Sequence, residues 1–276
     1  MNNLIKESLI QLKSKLIPNP ELDLRVLLSN CSNNKKEIII SNVDEKNIDI
    51  KKFKFFLQRR LNNEPISKII NKKSFWKYNF FVNSNVLDPR PETELIIEEA
   101  IILQGYNTDT IEILDIGTGS GCLAISLAKE VPNSKVTAID ISKTAIEVTK
   151  KNINIHSCNK QVKAKHTDIL NINQKFDLIV SNPPYLSSAQ YENTSSEIRK
   201  FEPKIAFFGG NDGLKFYRKF SRELPKIMKS NAYLILEIGE NQLNACLEIF
   251  NLSGFKLVKK RKDLQKKDRI LIFSRV

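Results

Sequence analysis

Apolar residues recur at helical spacing near the start of the chain, at Ile5, Leu9, Leu12 and Leu16, and this stripe stops at Pro18. A second stripe at Leu22, Val26 and Leu27 follows Pro20, and proline suits a first helical turn because an N–H there would lack a partner anyway. Ile50, Phe53, Leu57 and Leu61 make a third. The pattern predicts a small helical domain over residues 1–70. From Phe75 to Val82 the alternation changes to that of a hairpin strand, so residues 71–90 read as a hairpin linker, and residues 92–103 return to a helical pattern.

Short apolar runs then alternate with helical stripes from Thr110 to Ser181, which predicts an α/β domain over residues 91–276 built on a mostly parallel sheet. Residues 186–208 lack periodicity and are expected to form a long functional loop. A helix over 213–228, a strand over 233–238 and an antiparallel pair over 255–260 and 269–274 complete the prediction.

The chemistry concentrates at strand ends. The run Phe176–Ser181 leads directly into Asn182-Pro183-Pro184-Tyr185. Neither proline can donate a hydrogen bond, so carbonyls near this strand end are left without ladder partners. The Asn182 side-chain oxygen and the Pro183 carbonyl could together accept both hydrogens of one planar NH2 group, with the Tyr185 ring over its flat face. An ordinary turn is the competing reading, since Asn and Pro are common turn residues.

Upstream, Asp115-Ile116-Gly117-Thr118-Gly119-Ser120-Gly121 joins a strand to a helical stripe, the layout of a nucleotide site. The dinucleotide pattern fails because its third glycine position is Cys122, and a carboxylate at Asp115 suits an amino-acid ammonium better than a pyrophosphate. S-adenosylmethionine (SAM) therefore fits better than NAD. Asp140 ends the next strand and is the expected partner of the ribose hydroxyls. After a further strand, Asp168 could accept from the adenine amine and Ile169 could pack on the ring, although an Asp in that place also reads as a helix cap.

These motifs, together with Asn63-Glu64-Pro65-Ile66, Phe75-Trp76, residues 86–94 containing Pro89-Arg90-Pro91-Glu92-Thr93-Glu94, Phe201-Glu202-Pro203 and residues 209–217, resemble the SAM-dependent protein-(glutamine-N5) methyltransferases that act on peptide chain release factors. The resemblance runs over nearly the whole chain. It implies a Rossmann-like class I SAM-dependent methyltransferase fold, with a seven-stranded, mostly parallel sheet and an antiparallel C-terminal strand, preceded by a small helical domain that docks the protein substrate. It implies methyl transfer from SAM to the side-chain amide nitrogen of the glutamine in the Gly-Gly-Gln motif of a class 1 release factor. Asn182, Pro183, Pro184 and Tyr185 are then the catalytic and substrate-binding residues. Asp115, Gly117, Thr118, Gly119, Ser120, Gly121, Asp140, Asp168, Ile169 and Asn182 hold the cofactor. A ribosomal-protein glutamine methyltransferase, an amino-directed DNA or RNA methyltransferase, and a SAM-binding scaffold without activity are the other readings. Asn63 and the Ile70-Asn71 pair stand where glycine-containing turns are usual in the resembled family, and Asn tolerates positive φ best among the other residues. Glu92 and Glu94 read as first-turn acids that favour the helix dipole rather than as catalytic groups.

Composition narrows the picture. The four cysteines show no C-x-x-C spacing, so buried thiols are expected rather than zinc or disulfides. No apolar run is long enough to cross a bilayer and the first residues do not read as a signal peptide, so a cytoplasmic, membrane-free protein is expected. The net charge of +13 comes from lysines, which are abundant along the whole chain together with Asn and Ile. It is therefore read as surface solvation, with no direct specific nucleic-acid binding.

Overall fold

The computed structural model describes residues 3–33, 43, 45–104 and 109–275. The chain divides into two units, Met1–Lys72 with Ser196–Phe201, and Lys73–Ser195 with Glu202–Val276.

In the first unit the apolar stripes become helices Asn3–Ser14, Pro20–Cys31, Ile50–Leu61 and Ile66–Ile70. Ile5, Leu12, Leu24, Leu27, Leu28, Phe53 and Leu57 share one core. Two positions of the sequence pattern lie elsewhere. The first helix ends at Ser14, so Leu16 takes a left-handed backbone (φ 55°) and is exposed while Ile17 is buried. Leu22 faces out because Leu24, Leu27 and Leu28 set the buried stripe of the second helix. Asp23 pairs with the buried Arg60 at 2.7 Å, which offsets the desolvation of that guanidinium. Asn63 and Asn71 both adopt left-handed backbone, at φ 62° and 53°, as glycine would in those turns.

The second unit opens with a hairpin, β1 (Lys73–Phe75) and β2 (Tyr78–Phe80). Trp76 turns it at φ 54° and donates its backbone N–H to Glu94 Oε1 at 2.7 Å. The seven-stranded sheet follows: β3 (Ile111–Ile116), β4 (Ser134–Asp140), β5 (Val162–His166), β6 (Phe176–Ser181), β7 (Met228–Glu237), β8 (Phe255–Lys262) and β9 (Asp268–Arg275). Their order is β5-β4-β3-β6-β7-β9-β8, parallel except where β9 runs against both neighbours. This is the mostly parallel sheet that the strand–helix alternation predicted, in the Rossmann-like form that the resemblance implied.

Successive residues of a strand point to opposite faces, and both faces of this sheet are covered. Ile113, Val136, Leu178, Val180 and Ile235 enter one core, while Leu114, Ile139, Ile179, Leu234 and Leu236 enter the other. Burial on two faces explains why these strands read as continuous apolar runs.

The region 186–208 is not one irregular loop. Helix Ser188–Glu192 starts with a capping box between Ser187 and Gln190, and Ser196–Phe201 is also helical. Helices of five and six residues are too short to print a periodicity.

The backbone after β6 is held by close packing against residues 209–213. Leu186 donates to the Phe207 carbonyl and accepts from Gly209, each at 2.8 Å. A Cβ on Gly213, whose φ is +78°, would lie 2.4 Å from the Tyr185 carbonyl oxygen, whereas Gly254, at φ +79°, has open space around it. Gly213→Ala should therefore cost about 2–3 kcal/mol of unfolding free energy, and Gly254→Ala only about 1 kcal/mol from backbone strain alone. Urea titration of the two variants measures the difference.

Candidate active site

Strand β3 is followed by β4 and β5 on one side, while β6 lies on its other side, so the strand order reverses between β3 and β6. Loops leaving the carboxyl ends of such strands diverge, and the gap between them is where ligands bind in open α/β sheets. Ile116 and Ser181 are register partners at this point, and the Ser181 hydroxyl donates to the Ile116 carbonyl at 2.7 Å where the strands part. A cavity of about 270 Å³ opens here, with Gly117, Gly119, Asp140, Asp168, Ile169, Asn182, Pro183 and Pro184 on its wall. Its lining is mostly apolar, with Ile139, Ile141, Ile205, Ala206 and Phe216 also contributing.

The glycine loop is fastened beneath this cavity. Gly117 and Thr118 donate their backbone N–H groups to the Ile139 carbonyl at 2.9 and 3.0 Å. Asp140 accepts from Gly119 N at 3.0 Å and from Ser142 N at 2.9 Å, so one carboxylate binds the loops after β3 and β4 together. Burial raises its pKa, and those two N–H groups oppose the rise. Both oxygens keep lone pairs for neighbouring hydroxyls.

Asp115 turns inward. Its Oδ2 accepts from Thr118 Oγ1 at 2.6 Å and from Ala124 N at 3.2 Å, and burial pushes its pKa up to about 7. Its Oδ1 is buried with no partner in the chain, as is Ser120 Oγ. Asp115, Thr118, Ser120 and Gly121 lie outside the cavity wall. Gly121 is needed for another reason, since a Cβ there would lie 2.9 Å from the Thr149 methyl. Asp168 caps a single turn at Ile169–Asn171 through Leu170 N and pairs with Lys219 at 2.6 Å. Against the upward push of burial, those two contacts hold it below the usual carboxylate range. The capping role and the cavity position thus coincide in one side chain.

Asn182 is fixed more tightly than its sequence context suggests. Its Nδ2 donates to Thr93 Oγ1 at 2.9 Å, and Thr93 Oγ1 donates in turn to Glu237 Oε2 at 2.6 Å. Glu237 is 1 % exposed, and burial lifts its pKa to about 7 against the pull of Thr93, Arg269 and the Tyr185 hydroxyl. Among the described residues, neither Asn182 Oδ1 nor the Pro183 carbonyl accepts a hydrogen bond. The Tyr185 ring does not join Asn182, Pro183 and Pro184 on the cavity wall. Half-buried, it packs against the apolar core beside Gly239, whose Cβ position would be 2.9 Å from the ring.

Thr93 and Glu202 entered the sequence reading only within motifs, with no role of their own, and Glu237 did not enter it. Glu202 accepts from Asp88 N at 3.0 Å and from Arg90 at 2.7 Å, tying the Phe-Glu-Pro segment to the segment before Thr93. A signal for Glu237 was present, an acid at the end of an otherwise apolar strand, as at Asp115 and Asp140.

A family model described as the methyltransferase small domain matches residues 96–200. The chain is 34% identical to the release factor glutamine methyltransferase of Caulobacter vibrioides, over 95% of this chain and 92% of that protein. The chain belongs to the release factor glutamine methyltransferase family. A second family member, from Buchnera aphidicola, is 34% identical over 99% of this chain and 98% of its own length. The bifunctional methyltransferase of Rickettsia felis is 36% identical, but the chain spans only 58% of that protein; against such bifunctional relatives it covers little more than half their length. A solved methyltransferase from Pyrococcus furiosus shares the fold, with a TM-score of 0.52 and 23% identity over 79% of this chain and 96% of that one.

Membership in the release factor glutamine methyltransferase family implies SAM as methyl donor, and the cavity suits it. An acid at Asp140 and a mostly apolar wall match a ligand with a ribose and a flat ring. Among the described residues no helix is long and apolar enough to cross a membrane, and no cluster of His, Cys, Asp and Glu could hold a metal ion.

Asp140→Ala is expected to weaken SAM binding by about 1.5–3 kcal/mol, the range for hydrogen bonds to a charged group, measured by calorimetry. The raised pKa of Glu237 carries a second expectation. An acid whose folded value exceeds its unfolded value binds an extra proton when folded, so stability falls as pH rises from the ordinary carboxylate range towards about 7. Glu237→Gln removes this dependence, and the stability difference between about pH 5 and about pH 8 should shrink by on the order of 2 kcal/mol in urea unfolding.

Proposed function

We propose that this chain transfers the methyl group of SAM to the side-chain amide nitrogen of the glutamine in the Gly-Gly-Gln motif of a class 1 release factor. The observation that carries the reading is the orientation of Asn182. Its NH2 end is committed to Thr93, so its oxygen is the end left for a ligand at the cavity, beside a proline carbonyl without a partner. Two acceptors side by side match an NH2 group and repel a carbonyl oxygen. Family membership then favours a glutamine amide over the exocyclic amine of a base.

An amide nitrogen is a weak nucleophile because its lone pair is delocalised into the carbonyl. Asn182 Oδ1 and the Pro183 carbonyl, by accepting both hydrogens, would turn that lone pair towards the methyl group. They would also stabilise the positive charge that grows on nitrogen as the N–C bond forms and the methyl–sulfur bond breaks, after which S-adenosylhomocysteine leaves and the nitrogen gives one proton to water. When bound, SAM supplies a methyl group activated by its sulfonium. Asp140 would hold the ribose hydroxyls and Ile169 the face of the adenine, while Asp168 accepts from the adenine amine with its remaining lone pairs. The glycine loop would let the methionine end approach the backbone. Pro184 closes the wall, and Tyr185 acts from behind it through Glu237. The helical region over residues 1–70 is the proposed docking surface for the release factor, and the proposed location is the cytoplasm, without a direct specific nucleic-acid contact.

Labelled SAM offered with separate acceptors tests the reading. A class 1 release factor should gain the label and its variant lacking the Gly-Gly-Gln glutamine should not; label on a ribosomal protein or a nucleic acid instead would overturn it. Asn182→Ala should lower the single-turnover rate about a hundred-fold or more, while SAM affinity changes much less. Asn182→Asp, which keeps an oxygen at the same reach, should retain more activity than Ala.

A further inference from the structure

A carboxamide has two ends of nearly equal size, and rotation by half a turn exchanges an acceptor for a donor. If the Asn182 NH2 faced the cavity, two donors would meet and an incoming NH2 group would be rejected. Asn182 alone does not determine which end faces in. The decision is made behind it.

Thr93 Oγ1 lies 2.9 Å from Asn182 Nδ2 and 2.6 Å from Glu237 Oε2. A hydroxyl has one hydrogen, and the ionised form of the buried Glu237 takes it. The Thr93 oxygen then has only lone pairs to offer Asn182, and only the NH2 end can answer them. The lock is stiff at each joint. Thr93 is 4 % exposed, in the short 3-10 turn Pro91–Thr93, and its β-branch restricts rotation about χ1. Glu237 ends the interior strand β7, 1 % exposed, and the Arg269 charge bears on it.

We infer that Thr93 and Glu237 are positioning residues that fix the polarity of the Asn182 carboxamide, and so select an acceptor that presents hydrogens rather than lone pairs to the cavity. The inference deepens the proposed function and rests on an NH2 group being the acceptor. It gives the Pro-Glu-Thr-Glu run a task at the reacting group without a contact to substrate: Thr93 acts through Asn182, and Glu237 acts through Thr93.

Thr93→Val keeps the shape and removes the hydroxyl, and Thr93→Ser keeps the hydroxyl and removes the methyl. With release factor as acceptor, Thr93→Val should lower kcat about a hundred-fold, as loss of one preorganised polar group does, with KM for the release factor changed less than three-fold. Thr93→Ser should recover kcat to within about five-fold of the unsubstituted chain, and SAM dissociation constants from calorimetry should stay within about two-fold for both. Thr93→Ala, which relieves any packing fault of valine, should be as slow as Thr93→Val. A Thr93→Val or Thr93→Ala chain that keeps nearly full kcat overturns the inference. So does a Thr93→Ser chain as slow as Thr93→Val, and so does a loss of SAM binding that parallels the loss of rate, because each makes Thr93 a packing residue only. Absence of methylation by the unsubstituted chain would count against the proposed function instead, and the two failures are thereby distinguished.

Discussion

The hydrogen bond from Thr93 to Glu237 joins a carboxylate that is nearly inaccessible to water to the hydroxyl that orients Asn182. A buried acid is destabilising unless polar groups surround it, and burial here is strong enough to bring the Glu237 pKa to about 7. The sheet accepts that cost at the end of β7, beside β6, where the chain emerges as Asn-Pro-Pro-Tyr. The surrounding polar contacts follow from it. The Tyr185 ring packs against the core beside it, and Tyr217 donates to the Glu237 backbone carbonyl at 3.2 Å.

The same economy governs the other loops at the carboxyl edge of the sheet. Each loop is tied down by an acid that also faces, or stands behind, the cavity: Asp115 and Asp140 for the glycine loop, Asp168 for the turn after β5, and Glu202 for the segment before Thr93. These carboxylates accept backbone N–H groups that would otherwise be orphaned at strand and helix ends. Loop position is thus set by short charge-assisted contacts rather than by apolar packing, which leaves the cavity wall free to be apolar.

Much of this was legible in the sequence, because it is written in local patterns. Continuous apolar runs ending in Asp115, Asp140 and Ser181 marked parallel strands and their functional ends, and Asn63 and Asn71 disclosed left-handed turns. The mostly parallel sheet followed from the alternation, and its Rossmann-like form from the family resemblance. Thr93 and Glu237 were not found, because their roles depend on a contact across 144 positions of sequence that no local spacing records. Tyr185 was read as a cover for the amide because an aromatic after Pro-Pro suggests a stacking surface. The structure gives its ring to the core, since Gly239 leaves room for it there. The short helices after Leu186 were missed for want of length, and Leu16 because a residue two positions past a helix end no longer follows the helical stripe.

The central claim is that a paired set of acceptors, locked in polarity from behind, holds an amide NH2 at the reacting position. A crystal structure of the chain with S-adenosylhomocysteine and a Gly-Gly-Gln peptide addresses it most directly. The account predicts the glutamine nitrogen at about 3 Å from both Asn182 Oδ1 and the Pro183 carbonyl oxygen, with Asn182 Nδ2 still on Thr93. A glutamine bound in the cavity with its nitrogen away from these two oxygens, or an Asn182 released from Thr93, would contradict it.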